Sequence, residues 1–295
     1  TVATLGLGIG ASTTLFSVLH AVLMRPLPYG DADRIVVIEQ TARATGERLG
    51  GISAANVRDV RESAQGLSAV AGGEAWSVGP PLERHTESLR AWAVSEDFFE
   101  AIGARPLLGR TFLSEEFVAG GDRVVLLGHA SWVFRFAADP GLVGRTLRLD
   151  GEAYTIVGVL PPSFRFPDRA ELWIPRPPAE RDAATRAATF MVGVGRLGPG
   201  SSLAQAQADA DRVAAALARQ DPAANGDRGL LLVPLRTHIF GDARVPLLTL
   251  FGAAGFLLLI ACVNVAGLML AQGAHRQREF ALRSALGAGR GRLVR

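Results

Sequence analysis

The sequence predicts a membrane protein in which two transmembrane α-helices flank an α+β extracytoplasmic domain. Two long uncharged stretches, Thr1–Met24 and Val245–Gln272, and an arginine-rich segment behind the second stretch predict this architecture. Hydrophobic residues make up 48% of the 295 residues, and they are concentrated in these two stretches rather than spread evenly. The two ends of the chain are therefore predicted to lie in a membrane, and the middle is predicted to form a separate domain.

The first transmembrane helix is predicted over residues 1–25, incomplete at its start. An apolar segment of about 20 residues is long enough to cross a membrane. A cleaved signal peptide is the alternative, but its apolar core is usually about 7–15 residues long, and no cleavage site of small residues precedes Arg25. Gly6, Gly8 and Gly10 have the wrong spacing for a dinucleotide-binding loop and favour close packing of neighbouring helices.

The core domain is predicted over residues 26–244. Its first half, about 30–103, contains strands at Ile35–Thr41, Ser68–Val78 and Leu89–Val94 and a helix that begins after Ser53. Ser95 is predicted to cap a second, short helix.

A β-rich insertion is predicted over about 104–189. It contains a strand at Val124–Leu127, a short helix behind it, and a hairpin whose turn is Asp150-Gly151, a pair favoured in type I′ turns. The returning half, about 190–240, is predicted as a strand at Met191–Leu197, an amphipathic helix and a closing strand at Leu230–Leu235. That helix begins after Ser202 and is stopped by Pro222. The two halves form a split β-α-β layer.

The second transmembrane helix is predicted over residues 245–272, where Asn264 is the one strongly polar interior residue. Behind it lie six arginines and one acid, whereas the middle domain carries a slight excess of acids. The positive-inside rule places this tail, residues 273–295, in the cytoplasm and the middle domain on the other side of the membrane. Because the basic excess lies beside the membrane, it argues for a membrane rather than a nucleic acid as the partner.

The residues do not predict catalytic chemistry in this chain. No lysine is present, so a Walker-type phosphate loop, which needs one, is excluded. The five histidines are scattered without helical pairing, and the single Cys262 lies in the second apolar stretch, so no metal site is predicted. The sequence predicts no enzyme, no catalytic residues and no cofactor bound by this chain.

Five stretches together resemble the permease family that includes MacB and FtsX, and in particular its members with a MacB-like periplasmic core domain. The five stretches are Arg25–Ile38, Val94–Phe112, Asp139–Pro167, Gly195–Leu217 and Leu257–Arg295. They cover essentially the whole chain and occur in the family's order. The resemblance extends to permeases of unknown substrate, some of which repeat the whole unit in one chain.

The resemblance implies a subunit that works in the bacterial inner membrane as a dimer or pseudo-dimer. It implies a separate or fused ATPase, which would bind the ATP and magnesium. The cycle of this ATPase would be transmitted to the periplasmic domain for export or other work in the cell envelope. A periplasmic protein is a further possible partner. In the family, the tail segment is the coupling helix that docks on the ATPase. The residues that the resemblance assigns to coupling are Arg276, Arg278, Glu279, Phe280, Leu282, Arg283 and Gly287.

Three alternatives stay open at the level of the sequence. The tail could be a basic stop-transfer anchor, although Glu279 and the apolar Phe280 fit docking better. The protein could be a membrane receptor with an extracytoplasmic sensor domain, although glycines from Gly287 onward argue against the continuous coiled coil that a receptor would need. It could also be a scaffold that only presents the external domain and does not depend on ATP hydrolysis.

Overall fold

The structure, a computed structural model, describes residues 27–78, 89–121, 123–167, 170–179, 182 and 186–285, together with 6, 10, 13, 14, 16 and 17. For residues 242–244 and 272–285 it describes the backbone alone. The chain divides into two compact units, Pro26–Ile239 and a second unit made of Thr1–Arg25 and Phe240–Arg295.

Among the residues that the structure describes, the larger unit is built on one sheet of eleven strands. The strands are β1 (Ile35–Ala42), β2 (Arg48–Gly50), β3 (Leu67–Val78), β4 (Leu89–Val94), β5 (Leu108–Gly109), β6 (Val124–Leu127), β7 (Thr146–Leu149), β8 (Glu152–Val159), β9 (Leu172–Pro175), β10 (Val192–Leu197) and β11 (Arg228–Pro234). The helices are α1 (Ala54–Ser63), α2 (Phe98–Ile102), α3 (His129–Phe136), α4 (Leu203–Gln220), α5 (Pro222–Asn225) and α6 (Leu235–Ala285). In the described ranges, 3₁₀ turns lie at Ala32–Arg34, Ser114–Phe117 and Pro140–Leu142.

The first part of the sheet has the predicted split β-α-β arrangement. Its strand order is β11-β1-β10-β3, and each neighbouring pair is antiparallel. Two units, β1-α1-β3 and β10-α4-β11, therefore interleave, as in ferredoxin-like folds. Helices α1 and α4 cover one face of this part of the sheet, and α2 covers the other.

The first half of β1, Ile35–Ile38, is a continuous apolar run because it is buried on both faces of the sheet. Ile35 and Val37 belong to the apolar cluster on one face of the sheet, and Val36 and Ile38 belong to the cluster on the other. Because successive side chains of a strand point to opposite faces, a strand covered on both faces needs apolar residues at every position. All four of these side chains are at most 1% exposed.

The residues between β4 and β10 lengthen the same sheet. Strand β9 pairs in parallel with β4, and β6, β8 and β5 follow in that order, with β7 paired to β8. A third apolar cluster lies here, and it includes Leu89, Ala91 and Ala93 of β4. The hairpin between β7 and β8 turns at Asp150 and Gly151, both with positive φ (52° and 83°), as the predicted turn requires.

Two of the predicted helix caps are present and one is not. The Ser53 hydroxyl accepts the amide of Asn56 (3.2 Å), and the Ser202 hydroxyl accepts that of Gln205 (3.2 Å). The predicted cap at Ser95 is wrong, because α2 begins only at Phe98 and its cap position is Asp97. Ser95 instead continues the pairing of β3 with β4: its hydroxyl accepts the amide of Gly72 at 2.9 Å.

The closing strand differs from its prediction at both ends. It was predicted over Leu230–Leu235, but β11 begins at Arg228 and ends at Pro234. Leu235 is the first residue of helix α6 and is fully buried. Pro222, predicted to stop α4, stands one residue beyond its Asp221 cap and occupies the first position of α5, where a missing N–H costs nothing.

The smaller unit contains one candidate membrane span among the described residues, Val245–Ala271, which is 27 residues long and lies within α6. The first predicted span, residues 1–25, lies mostly outside the described residues. Its six described positions, 6, 10, 13, 14, 16 and 17, are helical.

Candidate functional site

The predicted coupling residues lie at the end of helix α6, apart from Gly287, which is outside the described residues. The helical backbone runs to Ala285 and includes Arg276, Arg278, Glu279, Phe280, Leu282 and Arg283. Glu279 and Arg283 are therefore four residues apart on a helix, the spacing at which an acid followed by a base stabilises it.

The segment Val245–Ala271 exposes large apolar side chains, as a helix surrounded by lipid does. Phe256, Met269 and Leu270 are each at least 70% exposed, and Ala254 and Ala261 are the buried residues of the stretch. An apolar core helix of a soluble domain would bury such side chains. Exposure of large apolar residues along 27 residues instead fits contact with lipid.

A cluster of three side chains holds the first turn of α6 against the sheet of the larger unit. Glu39 of β1, 5% exposed, accepts two hydrogen bonds from Arg48 of β2 (2.5 and 2.6 Å). His238, four residues into the helix, places its Nδ1 3.0 Å from the same carboxylate. We call Glu39, Arg48 and His238 the junction cluster, because it lies where the domain passes into α6.

Opposing effects set the pKa of Glu39. Burial raises the pKa, since it disfavours the charged form, but the hydrogen bonds and charge of Arg48, and then those of His238, lower it. The net result is a pKa below the ordinary value for glutamate. The carboxylate is therefore ionised near neutral pH despite its burial, and the cluster is a charged anchor.

A cleft of about 440 Å³ opens on the side of the domain that carries α1. Helix α1 forms one wall, the 3₁₀ turn Ser114–Phe117 with Val118 forms another, and Arg176, Pro178 and Asp182 form a third. We call this space the α1 cleft. Its apolar lining comprises Ala54, Val57, Phe117, Val118, Pro178 and Met191.

Ion pairs fix the walls of the α1 cleft. Arg61 of α1 donates to Glu96 (3.1 Å) and to Asp97 (2.8 Å), in the turn before α2. A hydrogen bond from the Ser114 hydroxyl lowers the pKa of Glu96; partial burial opposes this and Arg61 reinforces it. The turn at Ser114 is thus tied to α1 through Glu96.

The third wall is held by Arg176, whose side chain is only 9% exposed. Its guanidinium group donates two hydrogen bonds to Asp182 (3.0 and 2.7 Å) and also pairs with Glu74 of β3. A buried arginine needs this number of partners, because an unpaired charge away from water is costly. Arg176 therefore links Asp182 to strand β3 of the sheet.

Within the described ranges, no group of three or more histidine, cysteine, aspartate or glutamate side chains is placed to hold a metal ion. Cys262 is a free thiol on the exposed surface of α6.

Sequence reasoning missed both the junction cluster and the α1 cleft. One signal for the first was available: Glu39 directly follows the apolar residues Ile35–Ile38 in a predicted strand, and a buried acid implies a partner. The partner His238 lies 199 residues away, so no sequence spacing could have identified it. The cleft is lined from five separate stretches of the chain, and no local motif marks it.

The family model of the MacB-like periplasmic core domain matches residues 1–213 of this chain. No match was found among curated proteins.

Solved structures of the same fold exist. A domain of a protein designated a permease from Porphyromonas gingivalis is 16% identical, with a TM-score of 0.54, and the match covers 70% of this chain and 93% of that one. The periplasmic region of MacB from Actinobacillus actinomycetemcomitans is 12% identical, with a TM-score of 0.51, covering 76% and 98%. At these identities the likeness concerns the fold alone.

Proposed function

The chain belongs to the family of the MacB-like periplasmic core domain, and from this premise we propose that it is a permease subunit of an ABC-type transporter or mechanotransmission system. A partner ATPase hydrolyses ATP in the cytoplasm, and the permease transmits that cycle to its extracytoplasmic domain. The outcome is export or other work in the cell envelope.

Helix α6 is the observation that carries the proposal. Along the chain it begins where β11 ends, contains the apolar stretch Val245–Ala271, and continues through the predicted coupling residues. A segment of this length and composition is long enough to cross a bilayer. Helix α6 therefore connects the coupling residues to the junction cluster, so a movement imposed on these residues can be transmitted along the helix.

The proposed division of the chain follows the same helix. Residues 1–25 and 245–272 cross the bacterial inner membrane, residues 26–244 lie outside it, and residues 273–295 face the cytoplasm. A Walker-type phosphate loop needs a lysine, and this sequence has none, which supports a nucleotide site, with its ATP and magnesium, in another subunit or domain. Two permease units form a homodimer or a pseudo-dimer in the complete transporter.

The test of this function is whether an ATPase accompanies the protein. The full-length protein is purified from membranes, and vanadate-sensitive ATP hydrolysis is measured in the eluate. The triple variant Glu279→Arg, Phe280→Ala, Arg283→Glu should insert into the membrane normally and lose at least about 90% of the co-purifying activity, a loss equivalent to about 1.4 kcal/mol of binding free energy.

The matched control is Gln277→Ala, which changes a residue of the same helix outside the predicted coupling set. It should retain the activity of the unchanged protein. If neither the unchanged protein nor the control brings an ATPase with it, the transporter function is contradicted and a receptor or a scaffold takes its place.

A further inference from the structure

The α1 cleft has the size of a small-molecule site. Its volume of about 440 Å³ lies within the range of about 300–1,000 Å³ that is typical of ligand pockets. Its walls come from three segments that the ion pairs of Arg61 and Arg176 hold in place. Because these walls are held in place without a ligand, binding requires little further loss of conformational entropy.

The interior of the cleft is apolar. Val57 and Met191 are 5% and 1% exposed and belong to the same apolar cluster beneath it, whereas Val118 at the opposite wall is 57% exposed. Methionine is flexible and polarisable, so it adapts its shape to different apolar groups. The cleft can therefore accept an apolar body without requiring one fixed outline.

Two charged side chains on α1 line the cleft without a hydrogen bond or ion pair to any residue that the structure describes: Arg58 and Glu62. They are four residues apart on one helix face, with the base before the acid, an order that favours their own pairing least. The other charges that line the cleft are already paired, Arg61 with Glu96 and Arg176 with Asp182.

We propose that the α1 cleft binds a zwitterionic small molecule with an apolar body, about the size of a dipeptide. The apolar body lies over Val57 and Met191, the anionic group meets Arg58, and the cationic group meets Glu62. A ligand with a single negative charge would face Glu62 uncompensated, and one with a single positive charge would face Arg58, so complementarity selects a molecule that carries both. This site does not depend on coupling to an ATPase.

Methionine methyl resonances provide a direct test in the full chain. The sequence has three methionines, of which Met191 lines the cleft and Met24 and Met269 lie in the two apolar stretches. The protein is labelled with ¹³C-methyl methionine in detergent micelles, and Met191→Leu assigns the signal. Added Leu-Leu dipeptide should shift the Met191 resonance saturably and leave the other two unchanged.

The blocked peptide N-acetyl-Leu-Leu-amide has the same apolar body without either charge, and it should bind at least about tenfold more weakly, equivalent to about 1.4 kcal/mol. Arg58→Ala and Glu62→Ala should each weaken Leu-Leu binding about tenfold and leave the blocked peptide unaffected. Arg219→Ala, which alters an exposed arginine of α4 away from the cleft, should change neither.

Ala54→Trp places a large side chain at the cleft wall and should abolish the shift of Met191 by either peptide. The proposal is overturned if Leu-Leu at about 10 mM, a concentration that would detect even millimolar affinity, does not move the Met191 resonance. It is equally overturned if the blocked peptide binds as well as Leu-Leu, because the site would then not recognise charge.

Discussion

At the scale of single residues, Glu39 shows how a buried acid can stabilise a domain. Its carboxylate is buried directly after the four apolar residues Ile35–Ile38 of β1, where an unpaired charge would be costly. Arg48 and His238 supply three donor contacts, and Arg48 remains half exposed, so only one of the charges is fully desolvated. The acid therefore joins β1, β2 and the start of α6.

Glu39→Gln should destabilise the domain by about 2 kcal/mol, the range for a hydrogen bond to a charged group. All four tryptophans, Trp76, Trp92, Trp132 and Trp173, lie in the larger unit, so tryptophan fluorescence of the full chain reports the unfolding of this domain. The midpoint temperature should fall by about 4–8 °C. The exposed Glu47→Gln in the same hairpin should leave it unchanged.

The contribution of Glu39 to the stability of the domain should decrease as the pH falls. Its pKa in the folded domain is lowered from an ordinary value of about 4.5, so the carboxylate binds its proton less readily when folded. The stabilisation is complete above pH 4.5 and is lost as the pH falls through the lowered pKa. The midpoints of the unchanged protein and Glu39→Gln should therefore converge as the medium is acidified below pH 4. A difference that persisted undiminished at pH 3 would contradict this assignment.

At the scale of elements, much of the local structure follows from short-range chemistry. Ser53 and Ser202 cap their helices, and Asp150-Gly151 makes its hairpin turn, because each acts on neighbours within three residues. Ser95 satisfies the same local pattern, yet its hydroxyl accepts a hydrogen bond from the amide of Gly72 on another strand. A tertiary partner that competes for a capping side chain cannot be recognised from the local sequence.

The cap of α4 can be tested by Ser202→Ala. In the folded domain, the Ser202 hydroxyl accepts the Gln205 amide, and the Gln205 side chain in turn accepts the Ser202 amide (2.9 Å). Loss of such a cap costs about 1 kcal/mol. Tryptophan fluorescence should show the corresponding decrease in unfolding free energy, whereas the neighbouring Ser201→Ala should show a markedly smaller one. Equal effects of the two substitutions would contradict a specific capping role.

Pro246 lies inside α6 at the beginning of the apolar stretch. Proline has no amide hydrogen, so one hydrogen bond of the helix is absent there, and it is about 3 kcal/mol less favourable than alanine in a helix interior. Pro246→Ala should slow hydrogen exchange of the amides around this position, measured by mass spectrometry on the full chain. Val245→Ala should have a much smaller effect, because alanine and valine differ by less than about 0.7 kcal/mol in helix propensity.

At the scale of the whole molecule, the sequence predicted the interleaved halves of the sheet but not how the intervening strands join them. The order β11-β1-β10-β3 follows from two strand-helix-strand patterns. The parallel pairing of β4 with β9 joins residues about 80 positions apart, Ala91 with Leu172 among them, and no turn connects them. Long-range parallel pairing leaves no local signature, and the third apolar cluster depends on it.

The proposed function requires that the domain Pro26–Ile239 and the end of α6 lie on opposite sides of a membrane. The apolar stretch of 27 residues between them is long enough to separate them. The arginines behind it favour the cytoplasmic side. Transmission of ATP hydrolysis to the external domain requires this arrangement.

Labelling of engineered cysteines by a membrane-impermeant maleimide tests it most directly. Cys262→Ala removes the one natural thiol, and single cysteines are then introduced by Asp227→Cys in the domain and by Arg290→Cys in the tail. In intact spheroplasts the first should react and the second should react only after the membrane is permeabilised. Reaction of both thiols in intact spheroplasts, or of the tail thiol alone, would contradict the proposed placement of the domain outside the membrane.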